Sequence, residues 1–319
     1  MHELVISKND AGQRLDKFIT KSLGLPMSLL YKSIRLKKIK VNRKRAECNT
    51  MLSEGDVIQC FLSDEFFEKK VSRVSFESIT PRLSIIYEDE NIMLLDKPQG
   101  VSVHEDEDGS TNTLITHIQA YLFGKGEYDP DSEQSFAPAL CNRIDRNTGG
   151  IVIAAKNAAA LRVMNEKIKN NEISKFYMCA VHGIMKEKSR TLKGYLRKDS
   201  KNNTVEVRDT AFKGAKDIIT KYKTVAERDG NSLLEVELVT GRTHQIRAHM
   251  SHIGHPLLGD GKYGVNREDK RGGYKYQALY AYRLRFDFNK DEKTELDYLR
   301  GREIRLPRSE IWFVKDFEK

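Results

Sequence analysis

Apolar residues recur at two different spacings along this chain, and the change of spacing divides it. Leu15, Phe18, Ile19 and Leu23 fall on one face of a short helix, and Asp10 with Gln13 three residues on has the form of a capping box ahead of it. Pro26 suits the opening of a second helix, with Met27, Leu30 and Ile34 turned inward and Tyr31, Lys32 and Arg35 on other faces. Ile39 to Asn42 and Val57 to Leu62 read as short strands, the second introduced by the turn Glu54-Gly55-Asp56. This pattern makes residues 1–64 a small unit. Residues 65–81 carry no clear period and read as a linker that leaves the unit mobile relative to the larger remainder of the chain.

Residues 82–319 read as one α+β domain. Leu83 to Tyr87 and Ile92 to Asp96 are apolar runs split by a polar tetrad, the signature of a hairpin. Leu114 to Phe123 and Ala158 to Ile168 have helical spacing, and residues 124–138 read as a surface loop. Strands are expected at Ile151 to Ala155, Lys175 to Val181, Ile218 to Val225, Leu233 to Val239 and Leu279 to Phe288. Strands outnumber helices and many are consecutive, so a mixed, mainly antiparallel sheet is favoured over a doubly wound one.

Charge sharpens this division. The chain carries +9 overall, yet residues 12–60 alone hold eleven basic and four acidic side chains, a net of +7. Lys32, Arg35, Lys37, Lys38, Lys40, Arg43, Lys44 and Arg45 succeed one another without an intervening acid. Such a density repels itself and is stabilised by a polyanion, most often a nucleic-acid backbone. The longest apolar run near the middle of the 319 residues, Ile151 to Ala155, falls far short of the roughly 20 residues of a membrane span. Met-His-Glu opens no secretory signal, and Cys48, Cys60, Cys141 and Cys179 form no Cys-x-x-Cys pair. These features predict a cytoplasmic protein with reduced thiols.

Four segments carry the candidate chemistry. Asp96-Lys97-Pro98-Gln99-Gly100-Val101-Ser102-Val103-His104 reads as a strand end, a tight turn and a return strand. Asn142-Arg143-Ile144-Asp145-Arg146-Asn147-Thr148-Gly149-Gly150 places a carboxylate between two arginines, whose charges favour its ionised form, beside glycines that admit a close backbone or ligand. A carboxylate held this way can serve as nucleophile or base. On composition alone the same Asp also fits an ordinary turn. Lys175 to Gly183 is a strand with Tyr177 on the face of Cys179 and Val181, and Gly241-Arg242-Thr243-His244-Gln245-Ile246-Arg247 leads from a strand into a helix. Gly259-Asp260-Gly261-Lys262-Tyr263-Gly264 lies a little further along.

In this order and spacing the segments resemble the RluA/RluC/RluD-type pseudouridine synthases, and the two-helix, two-strand basic unit resembles the S-four-like RNA-binding domain that often accompanies them. The family pattern His-Arg-Leu-Asp-x-x-Thr-Ser-Gly stands here with Asn142, Ile144 and Gly149 as departures, and Tyr280 occupies a place where the family more often has His. The resemblance implies an isomerase that breaks the N1–C1′ bond of an RNA uridine, turns the base and rejoins it through C5, with no cofactor or metal. It implies Asp145 as nucleophile, attacking the sugar C1′ or assisting glycal formation, Tyr177 packed on the uracil and helping to remove the C5 proton, and Arg247 paired with Asp145. Arg143 would hold the flipped nucleotide or fill the gap it leaves, Thr148 would bind the substrate, and Lys32, Arg35, Lys37, Lys38 and Arg43 would hold the RNA backbone. By the same resemblance the partner is a structured RNA, large-subunit ribosomal RNA ahead of transfer RNA; a monomer is the default expectation, which no residue pattern here decides.

Two rival classes stand beside it. A non-catalytic, ribosome-associated RNA-binding protein would share the basic unit, but would have no use for Arg143, Asp145, Tyr177 and Arg247 together. A metal-dependent hydrolase would rest on His244, His249, His252 and His255, which lack a nearby Cys or patterned acid to complete a ligand set. His104 reads as a loop residue, and Glu105 to Asp108 as a solvated acidic loop.

Overall fold

The inward faces of the first two helices meet as their spacing requires. In the computed structural model, which describes residues 1–67, 76–104, 112–199, 202, 204–290 and 292–318, Leu15, Phe18 and Ile19 of α1 (Leu15–Leu23) and Leu30 and Ile34 of α2 (Met27–Arg35) are buried together. They lie on a four-stranded sheet of β1 (His2–Val5), β2 (Ile39–Val41), β3 (Lys44–Arg45) and β4 (Val57–Cys60), in the order β1-β4-β2-β3. Met27, expected inward, is 40% exposed at the first turn of its helix. β1 has no sequence signature because only alternate residues of its four are half-buried.

Asp10 and Gln13 do not cap α1, whose first turn has Arg14 at the cap and no side-chain bond. They dock the small unit onto the large one instead. The fully buried Asp10 carboxylate accepts from Ser7 Oγ (2.7 Å), Ser135 Oγ (2.5 Å) and Gln134 Nε2 (3.1 Å), and Gln13 Nε2 donates to Ser135 Oγ at 2.7 Å. Asn9 adds a bond to Glu133 and accepts from the Ala158 amide. Phe66 packs into the small core, and Phe76 into the large one between Phe123 and Tyr128. The connection expected to leave the unit mobile is therefore anchored at both described ends. Its middle, residues 68–75, and the acidic run Glu105 to Asp108 lie outside the described residues.

The large domain is α+β with a mainly antiparallel sheet, as its excess of consecutive strands predicts. Its sheet contains β5 (Ile85–Glu88), β6 (Ile92–Lys97), β7 (Ala139–Leu140), β8 (Gly149–Ala155), β9 (Ile173–His182), β10 (Ser189–Asp199), β11 (Thr204–Arg208), β12 (Lys216–Arg228), β13 (Asn231–Leu238), β14 (Leu279–Phe286) and β15 (Glu303–Arg305). The order is β11-β10-β12-β13-β9-β14-β8-β6-β5, with β15 on β14 and β7 on β8. Among the described pairings only β14 with β8 is parallel. No return strand succeeds β6: residues 101–104 are irregular.

β6 and β8 are buried on both faces, which explains their unbroken apolar runs. Met93, Leu95, Val152 and Ala154 face α3 (Leu114–Gly124) and α5 (Gln245–His252), while Ile92, Leu94, Ile151 and Ile153 face α4 (Ala158–Lys169) and the 296–306 segment. The glycines at the start of β8 serve its parallel partner. Gly150 has φ +111°, and a Cβ there would overlap the backbone of Ala281; one on Gly149 would strike the Tyr280 ring. The close approach inferred from this glycine pair is thus made by a strand.

α5 is fixed to the sheet through His249, whose Nδ1 lies 3.0 Å from Thr220 Oγ1 on β12 in a buried site. Burial pushes this imidazole down to about 4, so the folded ring stays neutral where the unfolded chain takes up a proton. Stability is then lost as pH falls from about 6.5 towards 4. Melting temperature measured over that window should fall less steeply in His249→Gln than in the native protein.

Candidate active site

Asp145 sits in the loop between β7 and β8, in a turn closed by the Thr148 amide donating to its carbonyl at 3.0 Å. Lys97, at the end of β6, holds that loop from beneath. Its ammonium is completely buried and donates to the carbonyls of Pro98 (2.9 Å), Val101 (2.9 Å) and Arg146 (3.0 Å). Burial pushes it down to about 8, so at neutral pH it still carries the three protons that these carbonyls accept. Gln99 Nε2 bonds the carbonyls of Asn147 and Gln277, each at 3.0 Å, and ties the loop to the approach of β14.

The cation on Asp145 is Arg247 of α5. Arg247 Nη1 donates to Asp145 Oδ2 at 2.8 Å, while Nε and Nη2 grip Asp260 in a bidentate pair at 2.7 and 2.9 Å. Burial opposes its charge, but the bonds and charges of Asp260 and Asp145 hold the guanidinium well above its ordinary value. Burial likewise raises Asp260, and Arg247 with the amides of Lys262 and Tyr263 overcomes it, so Asp260 stays a carboxylate. The flanking arginines, expected to hold Asp145 ionised, are placed otherwise. Arg143 is exposed at the cleft mouth, and Arg146 Nε donates to the Gly100 carbonyl at 3.0 Å.

The second oxygen of Asp145, Oδ1, has no hydrogen bond among the described residues, and Asp145 lines an open cleft. Arg143, Ile144, Asp145, Thr148, Tyr177 and Arg247 all line it. Five residues expected at the site from sequence therefore converge there. Tyr177 presents its side chain from β9; burial first and then the Asp145 charge push its phenol up, so it stays neutral and offers a ring and a hydroxyl rather than a phenolate. Thr148 is buried and accepts from Gln277 Nε2 at 3.2 Å. Lys32, Arg35, Lys37, Lys38 and Arg43 lie apart from the cleft, exposed on α2, the turn after it and the β2–β3 hairpin. The tip of that hairpin, Asn42 and Arg43, has φ of +51° and +65°, the doubly left-handed turn that matches strand twist.

Among the departures, Asn142 is structural: its Oδ1 accepts from the Ile153 amide at 2.7 Å. Tyr280 donates to Asp96 Oδ1 at 2.6 Å and covers Gly149, so these two departures form one packed unit. The histidines do not gather. His252 bonds Asp209 and His255 bonds the His182 carbonyl. Among the described residues no group of three or more His, Cys, Asp or Glu could hold a metal ion. Sequence reasoning misses Asp260 and Lys97 as members of the site. Each stands inside a quoted segment, but its role depends on a partner 13 or 49 residues away. It misses His244 as well, because the spacing of the histidines speaks only to a metal.

A carboxylate with one oxygen fixed by a buried arginine, beside a neutral tyrosine in an open cleft on a mainly antiparallel sheet, is equipped for covalent or acid–base work. This is the class of isomerase that the motifs predict. Residues 91–252 match the family described as RNA pseudouridylate synthase. The chain is 34% identical, over 98% of its length and 97% of the relative's, to an RNA pseudouridine synthase of Mycoplasma genitalium. It is 32% identical to the ribosomal large subunit pseudouridine synthase C of Buchnera aphidicola, over 84% of this chain and 82% of that one. The fold is shared with human RNA pseudouridylate synthase domain containing 1, with a TM-score of 0.56 and 22% identity over 74% of this chain and 86% of that one. The chain belongs to the RNA pseudouridylate synthase family. It is an RNA pseudouridine synthase.

Replacing Lys97 by Met leaves the Pro98 and Val101 carbonyls without their donor, at about 1–3 kcal/mol each, while the Arg146 carbonyl keeps the Gly100 amide. Denaturant unfolding should show a loss of about 2–4 kcal/mol, and pseudouridine formation should slow because the Asp145 loop is released.

Proposed function

We propose that this enzyme isomerises uridines of large-subunit ribosomal RNA in the cytoplasm, acting as a monomer, with Asp145 as nucleophile. The observation that carries the reading is the Asp145 carboxylate itself. Its Oδ2 is held at 2.8 Å by an arginine that is locked in turn to Asp260, and its Oδ1 makes no hydrogen bond among the described residues. A uridine flipped into the cleft has its sugar C1′ brought to that oxygen and its base against Tyr177. The extrusion costs a few kcal/mol, offset by stacking and by contacts from Arg143 and Thr148. Breaking N1–C1′ and rejoining through C5 exchanges one proton at C5 for one at N1, so the atoms balance without a redox step. The relatives named for the large ribosomal subunit support the choice of RNA.

The small unit supplies the grip. Its first two helices, basic hairpin and exposed cations support an S-four-like RNA-binding domain, and its docking through Asp10 fixes where bound RNA meets the cleft. No helix among the described residues is long and apolar enough to cross a membrane.

Asp145→Asn keeps the shape and the Arg247 hydrogen bond but removes the nucleophile. Pseudouridine formation should fall below detection while RNA affinity stays within about threefold; an active variant contradicts the reading. Neutralising Lys32, Arg35, Lys37, Lys38 and Arg43 together should weaken RNA binding and flatten its dependence on salt. Each phosphate no longer neutralised lowers the log–log slope by about 0.7–0.9. The rate at saturating RNA should be unchanged.

A further inference from the structure

His244 occupies an unusual position in both backbone and bonding. It stands at the start of α5 with φ +52° and ψ +19°, left-handed angles that a non-glycine residue adopts only at a cost. That turn aims its ring into the cleft beside Asp145, with Nε2 3.8 Å from Asp145 Oδ2, beyond hydrogen-bond reach.

The hydrogen bonds around the other ring nitrogen assign its proton. Tyr263 Oη accepts from the Val205 amide at 3.0 Å, and an amide can only donate. Burial pushes the Tyr263 hydroxyl up to about 12, so it keeps its own proton. Among the described residues the acceptor within reach of that proton is His244 Nδ1, at 2.8 Å. That donation makes Nδ1 the lone-pair nitrogen and puts the ring hydrogen on Nε2, on the cleft side. The ring of Tyr263 also packs edge-on against His244 and beneath the Arg247 guanidinium, which fixes the imidazole plane. Burial, with Arg247 and Lys262 nearby, pushes His244 below its ordinary value against the pull of Asp145 and Asp260, so the ring is neutral at physiological pH. Among the described residues Nε2 makes no hydrogen bond.

We propose that His244 is a further catalytic residue, whose Nε2–H donates to a carbonyl oxygen of the uracil. The proposal rests on the function proposed above. When the N1–C1′ bond breaks, its electron pair leaves with the base, and the negative charge spreads over N1 and the two carbonyl oxygens. A fixed neutral donor at one of those oxygens binds the departing base more tightly than the intact nucleotide, which lowers the barrier without tightening substrate binding. His244 keeps its proton throughout. The C5 proton is lost and the N1 proton gained elsewhere in the cleft, so the exchange stays balanced. The left-handed backbone at residue 244 and the Tyr263 bond are then the devices that point this donor.

The test compares His244→Gln, which retains an N–H at the end of a similar side chain, with His244→Met, which has the shape without the donor. The substrate is total RNA labelled with tritium at C5 of its pyrimidines, prepared from cells deleted for this gene, so that the target uridine is present whichever RNA carries it. Tritium release under single-turnover conditions reports the reaction. His244→Met should be slower by about 100- to 1000-fold with RNA affinity and melting temperature unchanged, and His244→Gln should recover at least about tenfold of that loss. Equal loss in both variants, or full activity in His244→Met, overturns the proposal. Nitrogen-15 NMR of the free protein gives an independent reading: the hydrogen on Nε2 supports it, and a hydrogen on Nδ1 overturns it. A native enzyme that releases no tritium would instead contradict the proposed reaction, whatever the NMR shows of His244.

Discussion

The ion chain Asp260–Arg247–Asp145 is the constraint around which the rest of the site is arranged. Arg247 is buried, and a buried guanidinium is tolerated only where carboxylates and geometry compensate its lost hydration. Asp260 supplies a bidentate partner with no accessible surface, so one arm of the arginine is immobilised before substrate arrives. The remaining arm fixes a single oxygen of Asp145, and the other makes no hydrogen bond among the described residues. Two distant segments must come together to make this chain: the loop before β8 carries Asp145, and α5 with the turn after it carries Arg247 and, 13 residues on, Asp260.

Around that chain the supports are backbone devices. Lys97 spends all three of its protons on carbonyls, one of them in the Asp145 loop, and Gln99 joins the same loop to the segment leading into β14. The two glycines of β8 let β14 lie against it in the one parallel pairing described. Gly149, Tyr280 and Asp96 then form a unit behind the site: the missing Cβ makes room for the ring, whose hydroxyl bonds the half-buried carboxylate. A serine at 149 would not fit beneath Tyr280 as placed.

Much of this is legible in the sequence, and the exceptions share a cause. Strands with two buried faces, such as β6 and β8, and helices with one apolar stripe, such as α1 and α2, announce themselves by local periodicity. The hairpin of β10 and β11 does not. Leu192, Leu196 and Val205 are its few buried apolar residues, scattered among charged side chains at the edge of the sheet. The Asp10–Gln13 pair carries a helix-start pattern but is recruited by Ser135 and Gln134, more than 120 residues away. Asp145, Tyr177 and Arg247 are readable because their motifs are distinctive in combination. Asp260 is not, because a buried counter-ion looks like any loop aspartate until its partner is seen.

The central claim is that Asp145 works because Arg247 is locked by Asp260. The direct measurement is the single-turnover rate of pseudouridine formation by Asp260→Asn, at saturating RNA and at a temperature where the variant is folded. Asn retains an oxygen for the amides of Lys262 and Tyr263 but surrenders the charge and one of the two bonds to Arg247. The account predicts a rate lower by about tenfold or more, with RNA affinity unchanged. A rate equal to that of the native enzyme would show that Asp145 reacts without the ion chain, and would contradict it.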